Sequence, residues 1–295
     1  MRLLIPILFL AGTAIATAGV TNIIAPGATL KKLAGDFVFT EGPASDARGN
    51  VFFTDQPNDR ILKWSVSGEL STYKQPSGRA NGLAFDKAGN LWACADEKNE
   101  LWKIAPDGRV TVLLTNFSGQ LFNGPNDLWF RPDGGLYFTD PYYQRSYWKR
   151  GPKEMGEHVY FLPAGQSKPT RVIEDLKQPN GIIGTPDGKL LYVADIGARK
   201  TFKYLIASDG SLSEKTLFCE MGSDGLTIDS EGNVYLTGKG VSVFDPSGKK
   251  IEQIDVPEGW TANVCFGGAD QQTLFITASK SLYSLAMNVR GVNSQ

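Results

Sequence analysis

Short apolar stretches that follow tight turns recur along the whole chain. In five of the six copies the turn contains Gly, and an aromatic-rich apolar run follows it; the copies are residues 48–55, 88–96, 133–140, 187–195, 231–237 and 270–277. The copies are 40, 45, 54, 44 and 40 residues apart when measured between Asn50, Asn90, Gly135, Lys189, Asn233 and Thr273. This spacing is the period of a four-stranded blade in a β-propeller.

Further strand-like stretches complete each repeat. Residues 60–64 follow the first copy, and residues 101–104 and 110–114 follow the second. Because no segment shows a helical periodicity of useful length, the pattern predicts an all-β protein. Six copies predict a six-bladed β-propeller that occupies residues 19–295 as a single domain. We expect residues 28–33 to complete the last blade and so close the ring.

The third repeat carries an insertion. Its surplus lies in residues 141–151, which are rich in aromatic and basic side chains. Such a segment either lines or covers a pocket or forms a solvent-facing loop, and the sequence leaves both readings open. Pockets for small ligands are commonly lined by aromatic side chains with a few polar or charged groups. Candidate residues for a pocket rim are therefore Tyr142, Tyr143 and Trp148 in the insertion, together with Arg79.

One oxygen-bearing side chain precedes the turn of every repeat at a nearly constant distance. It lies nine residues before the first five landmarks and ten before the sixth; the residues are Glu41, Asn81, Asn126, Asn180, Asp224 and Asn263. Each opens an apolar stretch that should form the innermost strand of its blade. Because the innermost strands line the axis of a propeller, these six side chains, called the polar ring below, are predicted to converge there.

The polar ring contains two carboxylates, Glu41 and Asp224. Asn and Asp often begin strands because they satisfy local backbone donors, which is the alternative explanation. That explanation accounts for repeated amides but not for two acids. Two anions in a low-dielectric region repel each other unless a cation or a proton compensates. The ring therefore indicates a divalent metal with oxygen ligands; Ca²⁺ is favoured, and Mg²⁺, Mn²⁺ or Zn²⁺ are the alternatives.

Histidine and cysteine usage narrows the chemistry further. The single histidine, His158, lies outside the polar ring, so neither a tetrahedral zinc site with nitrogen ligands nor a Ser-His-Asp triad is indicated. We expect His158 to begin a strand and to be at the surface or hydrogen-bonded. Cys94, Cys219 and Cys265 are expected to be buried thiols, with one disulfide as the alternative.

The charge balance of the chain bears on its binding partners, and the N-terminal segment bears on its cellular location. The chain has 30 Lys and Arg against 31 Asp and Glu, so no basic excess is present to bind nucleic acid. Residues 1–18 combine a positive start, an apolar run and a small-residue cleavage site, which predicts a signal peptide. A membrane anchor over residues 3–20 is the alternative. We expect a periplasmic or secreted protein with a small-molecule substrate and no membrane attachment after cleavage.

Several short motifs together resemble one known family. They include Glu-Gly-Pro at 41–43, Asn-Gly-Leu-Ala-Phe-Asp at 81–86, Asn-Gly-Pro-Asn-Asp-Leu at 123–128 and Ser-Asp-Gly-Leu at 223–226. With these motifs the chain resembles the senescence marker protein/gluconolactonase/luciferin-regenerating enzyme family, and most closely its bacterial gluconolactonase branch. The resemblance implies a six-bladed propeller whose divalent metal is held by Glu41, Asn126, Asn180 and Asp224. Diisopropyl-fluorophosphatase, a related propeller, is similar at the same four positions.

The resemblance also implies a calcium-dependent lactonase. In such an enzyme the metal polarises the lactone carbonyl and lowers the pKa of a bound water. Asp224 is the candidate general base, with direct nucleophilic attack as the alternative. Asn81, Asn126 and Asn263 are candidates to bind substrate hydroxyls. The rival functions are a phosphotriesterase or another esterase on the same metal, and a non-catalytic binding propeller with a structural ion.

Overall fold

The computed structural model describes residues 22–148 and 150–292, which form six small antiparallel sheets arranged in a ring. Each sheet has four strands, and the predicted six-bladed β-propeller is confirmed. The predicted signal peptide, residues 1–18, lies outside the described residues. Among the residues that are described, no helix is long and apolar enough to cross a membrane.

The blades follow one another along the chain, and the four strands of each blade run from the innermost to the outermost. Blade 1 consists of Thr40–Ser45, Val51–Asp55, Arg60–Trp64 and Leu70–Lys74. Blade 2 consists of Leu83–Phe85, Leu91–Ala95, Glu100–Ile104 and Val110–Leu114. Blade 3 consists of Leu128–Phe130, Leu136–Asp140, His158–Leu162 and Thr170–Ile173.

The second half of the ring repeats the pattern. Blade 4 consists of Pro179–Gly184, Leu190–Asp195, Lys200–Ile206 and Leu212–Cys219. Blade 5 consists of Leu226–Ile228, Val234–Gly238, Gly240–Phe244 and Lys250–Ile254. Blade 6 consists of Thr261–Gly267, Thr273–Ala278, Ser281–Ala286 and Lys31–Ala34. Two short 3₁₀ helices, Gln56–Asn58 and Asp96–Lys98, and a hairpin of Asn116–Phe117 with Gln120–Leu121 decorate the loops.

The ring closes through a strand from the N-terminal side of the chain. Lys31–Ala34 pairs antiparallel with Ser281–Ala286, so blade 6 joins the two ends of the described sequence. The expectation that residues 28–33 complete the last blade is thereby confirmed. The closing strand pairs with the third strand of blade 6 and leads along the chain into blade 1. The first and last blades are therefore held together by this backbone pairing as well as by packing.

Aspartates in the turns explain why the repeat is readable in the sequence. The Asp46 Oδ1 accepts hydrogen bonds from the backbone N–H groups of Arg48 and Asn50, both at 2.9 Å. Asp86 and Asp229 bind the equivalent turns of blades 2 and 5 in the same way. Each carboxylate satisfies turn donors that the strands cannot reach, so each turn is specified locally.

The core lies between successive blades. Trp92 of blade 2 meets Phe130 of blade 3 edge-to-face at 5.1 Å between ring centroids, and Tyr235 of blade 5 meets Phe266 of blade 6 at 5.3 Å. The innermost strands are buried along their length, whereas the fourth strands are largely exposed. The three cysteines Cys94, Cys219 and Cys265 are buried free thiols, as expected.

His158 differs from its expectation in one respect. It begins the third strand of blade 3, as expected, but it is buried rather than at the surface. Its Nδ1 has no hydrogen-bond partner among the described residues. Burial is the main cause that lowers the pKa of His158, which favours the neutral imidazole.

Threonines of the second strands link neighbouring blades near the axis. The Thr54 hydroxyl donates to the Asn81 carbonyl of the neighbouring blade at 3.2 Å. The Thr237 hydroxyl donates to the Ala262 carbonyl at 2.7 Å and accepts the Gly225 N–H at 2.8 Å. Because both groups are buried, a blade that lost such a hydroxyl would leave backbone polar groups unsatisfied.

Replacing Thr237 with Val should therefore lower the free energy of unfolding by about 1–3 kcal/mol, because the Ala262 carbonyl and the Gly225 N–H lose their partner. Urea unfolding followed by circular dichroism measures this change. The matched control is Thr111→Val on an exposed fourth strand, where little change is expected. An equal loss of stability in both variants would contradict the proposed link between blades.

Candidate active site

The polar ring lies where the predicted repeat places it, at the start of the innermost strands. Glu41, Asn180 and Asn263 are within those strands, and the other three precede them by two residues. Asp224 is partly exposed and the other five side chains are buried. Glycine follows the ring residue in blades 1, 2, 4 and 5, so the chain there can approach the neighbouring blade.

None of those four glycines has room for a side chain, and two of them lie closest to the backbone of the next blade. A Cβ at Gly82 would stand 2.5 Å from the carbonyl oxygen of Asn126, and a Cβ at Gly42 would overlap the carbonyl of Asn81. Gly42 also has a φ of 42°, in the left-handed region that favours glycine. Close backbone approach therefore fixes where each ring residue sits relative to the next blade.

The two carboxylates influence each other electrostatically. Burial is the largest cause that raises the pKa of Glu41 well above its usual range, and the charge of Asp224 raises it further. Burial also raises the pKa of Asp224, against the lowering effects of Trp260, Arg145 and Asn180. Each acid is therefore costly to ionise in the absence of a nearby positive charge, which is the condition under which a bound cation is stabilised.

Two hydrogen bonds fix the orientation of Asp224. The Asn180 Nδ2 donates to the Asp224 Oδ1 at 2.9 Å, and the Trp260 Nε1 donates to the Asp224 Oδ2 at 2.6 Å. The same Asn180 amide also donates to the hydroxyl of Tyr143 at 2.8 Å. Because both amide hydrogens of Asn180 are used in this way, its Oδ1 is left as an acceptor toward the site.

The insertion of residues 141–151 lines this site rather than forming a solvent-facing loop. Tyr143 reaches the ring through Asn180, and the Tyr147 hydroxyl donates to the Gln56 Oε1 of blade 1 at 2.8 Å. Arg150 forms an ion pair of 2.8 Å with Asp96 of blade 2 and also donates to the backbone carbonyls of Asp96 and Asn123. The insertion therefore contacts blades 1, 2 and 4.

The other predicted rim residues make their contacts outside the polar ring. Arg79 forms an ion pair with Glu97 at 3.2 Å and stacks over the Tyr147 ring. The Tyr142 hydroxyl donates within the insertion, to Gln144 and to the Gly151 carbonyl. Trp148 is buried beneath the guanidinium of Arg150. These three residues support the insertion and none contacts a ring side chain among the described residues, whereas Tyr143 does.

Sequence reasoning missed two residues that the structure brings to the ring. Trp260 comes from the loop before blade 6 and is 38% exposed while it holds Asp224. Arg145 lowers the pKa of both Glu41 and Asp224 through its charge. The available signals were an isolated Trp directly before the last innermost strand and a cation in the insertion.

Asn263 lies beside a cavity that the other five ring residues do not line. Its Oδ1 accepts its neighbour's Val264 N–H at 2.8 Å, and its amide lowers the pKa of Asp127. Both residues line an axial cavity of about 100 Å³, whose lining includes none of the other five ring residues. Burial is the main cause that raises the pKa of Asp127 to about 7. The other five ring residues, which do not line this cavity, are called the five-residue group below.

The donors of the five-residue group suit a hard divalent cation. They are two carboxylates and three amides, all with oxygen donors, of the kind that calcium accepts. Within residues 22–148 and 150–292 no three His, Cys, Asp or Glu side chains cluster closely enough to hold a metal, so amide oxygens would be required. The repulsion between Glu41 and Asp224 is the structural feature that a cation would relieve.

Two amides of the group also lack partners. The Nδ2 atoms of Asn81 and Asn126 are buried and have no hydrogen-bond acceptor in the described part of the chain. An unmade hydrogen bond of this kind costs about 1–3 kcal/mol. A ligand or water that presents oxygen atoms to the site would satisfy both donors.

Asp140 organises the loop that leads to Asn126. Its Oδ2 accepts the Asn123 N–H at 2.9 Å and its Oδ1 accepts the Gly124 N–H at 2.8 Å. Burial is the main cause that raises the pKa of Asp140 from 3.8 to about 7, against the effect of these two hydrogen bonds. The carboxyl group therefore binds a proton more tightly in the folded protein than in the unfolded chain.

A six-bladed propeller with acidic and amide side chains at the start of its innermost strands defines the class of this protein. The family model described as "SMP-30/Gluconolactonase/LRE-like region" matches residues 39–280, and the chain belongs to this family. The predicted family resemblance is thereby confirmed.

Individual relatives agree with this assignment. The gluconolactonase of Zymomonas mobilis is 29% identical over 283 residues, which cover 86% of this chain and 80% of the relative. The solved structure of a gluconolactonase from Xanthomonas campestris is 28% identical with a TM-score of 0.85, covering 92% of this chain and 93% of that one. Regucalcin of Agrobacterium tumefaciens, described as a calcium-binding protein, shares the fold at 20% identity with a TM-score of 0.76, covering 90% of this chain and 96% of that one.

Replacing Asp140 with Asn should change how stability depends on pH. The folded state of the wild type holds the Asp140 proton up to a pKa of about 7, so its free energy of unfolding should fall as pH rises from about 4 to about 7, by up to ~1.4 kcal/mol per pH unit. D140N lacks this contribution, so the difference in stability between the two proteins should shrink over that range. Urea unfolding across the range measures it, and a difference independent of pH would refute the assignment.

Proposed function

We propose that this protein is a metal-dependent lactonase that hydrolyses a sugar lactone at the axial site. The proposal rests on the pair of mutually repelling carboxylates, Glu41 and Asp224, which lies beside oriented amides at the end of the propeller axis. Membership of the gluconolactonase-containing family and similarity to the Zymomonas mobilis and Xanthomonas campestris enzymes support a lactone as the substrate class.

The proposed cofactor is Ca²⁺, with Mg²⁺ or Mn²⁺ as alternatives that accept the same oxygen donors. Glu41, Asn126, Asn180 and Asp224 would hold it. When bound, such an ion supplies Lewis-acid polarisation of the ester carbonyl and lowers the pKa of water. The similarity to a calcium-binding regucalcin is one of fold and accords with this choice.

Asp224 is the proposed general base. The Asn180 and Trp260 hydrogen bonds to its two oxygens hold the carboxylate in one orientation and favour its ionised form. It would accept a proton from the attacking water and return it to the ring oxygen as the ester C–O bond breaks, which yields a hydroxy acid. Glu41 contributes negative charge and no proton transfer. The unpaired amides of Asn81 and Asn126 would donate to substrate hydroxyls.

Replacing Asp224 with Asn should reduce kcat for D-glucono-1,5-lactone by about 100-fold or more, because the variant cannot accept the proton. A pH-stat assay with added Ca²⁺, repeated with a chelator, measures both the loss and the dependence on metal. Asp255→Asn, an exposed acid, is the matched control and should retain wild-type rates. Wild-type hydrolysis that persists in excess chelator would reject the metal-dependent mechanism. Lactonase activity in D224N near that of D255N would reject Asp224 as the base.

Replacing Glu41 with Gln should distinguish two effects of the carboxylate pair: the destabilisation of the metal-free protein and the binding of the metal. Without metal, E41Q should unfold at the same or a higher temperature than the wild type, because one buried charge and its repulsion with Asp224 are removed. The rise in unfolding temperature that Ca²⁺ produces should be smaller in E41Q, because the stabilisation by a bound ligand grows with the logarithm of its affinity. Thermal unfolding with chelator and with Ca²⁺ measures both effects. An undiminished response to Ca²⁺ would exclude Glu41 as a ligand.

A further inference from the structure

The guanidinium of Arg145 lies next to the proposed catalytic group. Its central carbon is 4.5 Å from the centroid of the Tyr143 ring, and the hydroxyl of that ring bonds the Asn180 amide that holds Asp224. Its positive charge acts on both Glu41 and Asp224. Arg145 therefore faces the region where a substrate of Asp224 would lie.

Arg145 differs from the neighbouring arginines because it has no acceptor in the described part of the protein. Arg79 is paired with Glu97, and Arg150 is paired with Asp96. The Nε of Arg145 is buried without a hydrogen-bond partner in residues 22–148 and 150–292, and Arg145 forms no ion pair with a residue of those ranges. A planar guanidinium presents five donors, and leaving a buried one unpaired is costly.

The segment that carries Arg145 is anchored on both sides. Tyr143 precedes it and is fixed by Asn180, and Tyr147 follows it and is fixed by Gln56. Arg150 then ties the end of the insertion to Asp96. These contacts hold the guanidinium in place before a ligand arrives, which reduces the entropy that binding would cost.

The charges around the site indicate what this arginine would bind. In the proposed function one divalent cation balances Glu41 and Asp224, and the charge of Arg145 is then uncompensated. Guanidinium groups bind carboxylates through two parallel hydrogen bonds. The carboxylate that hydrolysis creates is absent from the lactone before the reaction, so an acceptor for Arg145 in the bound substrate is a second acidic group.

We propose that Arg145 is a specificity-determining residue that binds a carboxylate carried by the substrate, so that the preferred lactone derives from a sugar diacid. This inference rests on the proposed lactonase function and names its substrate class. A neutral sugar lactone would still reach Asp224 but would leave Arg145 without its acceptor. The preference between an acidic and a neutral lactone, rather than the rate on either alone, therefore reports on Arg145.

The test compares D-glucaro-1,4-lactone, which carries a carboxylate, with D-glucono-1,5-lactone, which does not. The wild type should show the higher kcat/KM on the acidic lactone, and Arg145→Met should lower that value by about 10- to 100-fold more than it lowers kcat/KM on the neutral lactone, mainly through KM, because the loss of positive charge near Asp224 affects both lactones alike. R145K, which keeps the charge but not the fork, should be intermediate. Arg109→Met, at a side chain that is 78% exposed, is the matched control.

A binding measurement separates this inference from the proposed function. Calorimetric titration with the products should show tighter binding of glucarate than of gluconate to the wild type, and R145M should remove that difference while it retains the wild-type unfolding temperature. An equal loss on both lactones, or a preference that survives in R145M, would overturn the role of Arg145. Absence of hydrolysis of either lactone by the wild type would instead reject the lactonase function, and glucarate binding that still depends on Arg145 would then report an anion site alone.

Discussion

Close packing of the innermost strands around the axis is the constraint on which the rest of the structure depends. Adjacent blades approach so closely at Gly42, Gly82 and Gly225 that a Cβ would collide with the next blade. Threonine hydroxyls such as those of Thr54 and Thr237 satisfy carbonyls across the same boundary. Because one residue of each blade stands beside this boundary, the packing that closes the ring also places one polar side chain of every blade at the start of its innermost strand.

The gathered side chains are costly to the fold, and their arrangement shows how that cost serves a site. Glu41 and Asp224 raise the free energy of the ring, since Glu41 is buried, Asp224 is partly buried, and the charge of Asp224 acts on Glu41. Hydrogen bonds from Asn180 and Trp260 do not neutralise Asp224 but fix its direction. The two carboxylates therefore lower the stability of the fold while they form an oriented group of negatively charged oxygens. Functional residues commonly have such a destabilising effect on the scaffold that carries them.

The insertion in blade 3 brings side chains to the ring that the repeated strands do not provide. Every blade contributes one ring residue at a nearly constant position in the repeat. Tyr143 and Arg145 come from the insertion, and Trp260 borders Asp224 from the loop before blade 6. The repeated part of the architecture thus places Asp224, and its irregular parts add side chains from outside the repeat next to it.

The sequence by itself determined the blade number, the closing strand and the six ring positions, because strand alternation, turn aspartates such as Asp46 and the period of the repeat are all local properties. It also indicated that the insertion could reach the site. Only the tertiary structure decided that Asn263 turns toward Asp127, that His158 is buried, and that Arg145 and Trp260 act on Asp224. Each of these contacts brings together residues from different blades or loops. The direction in which a side chain points between two blades depends on tertiary packing, which no local sequence pattern encodes.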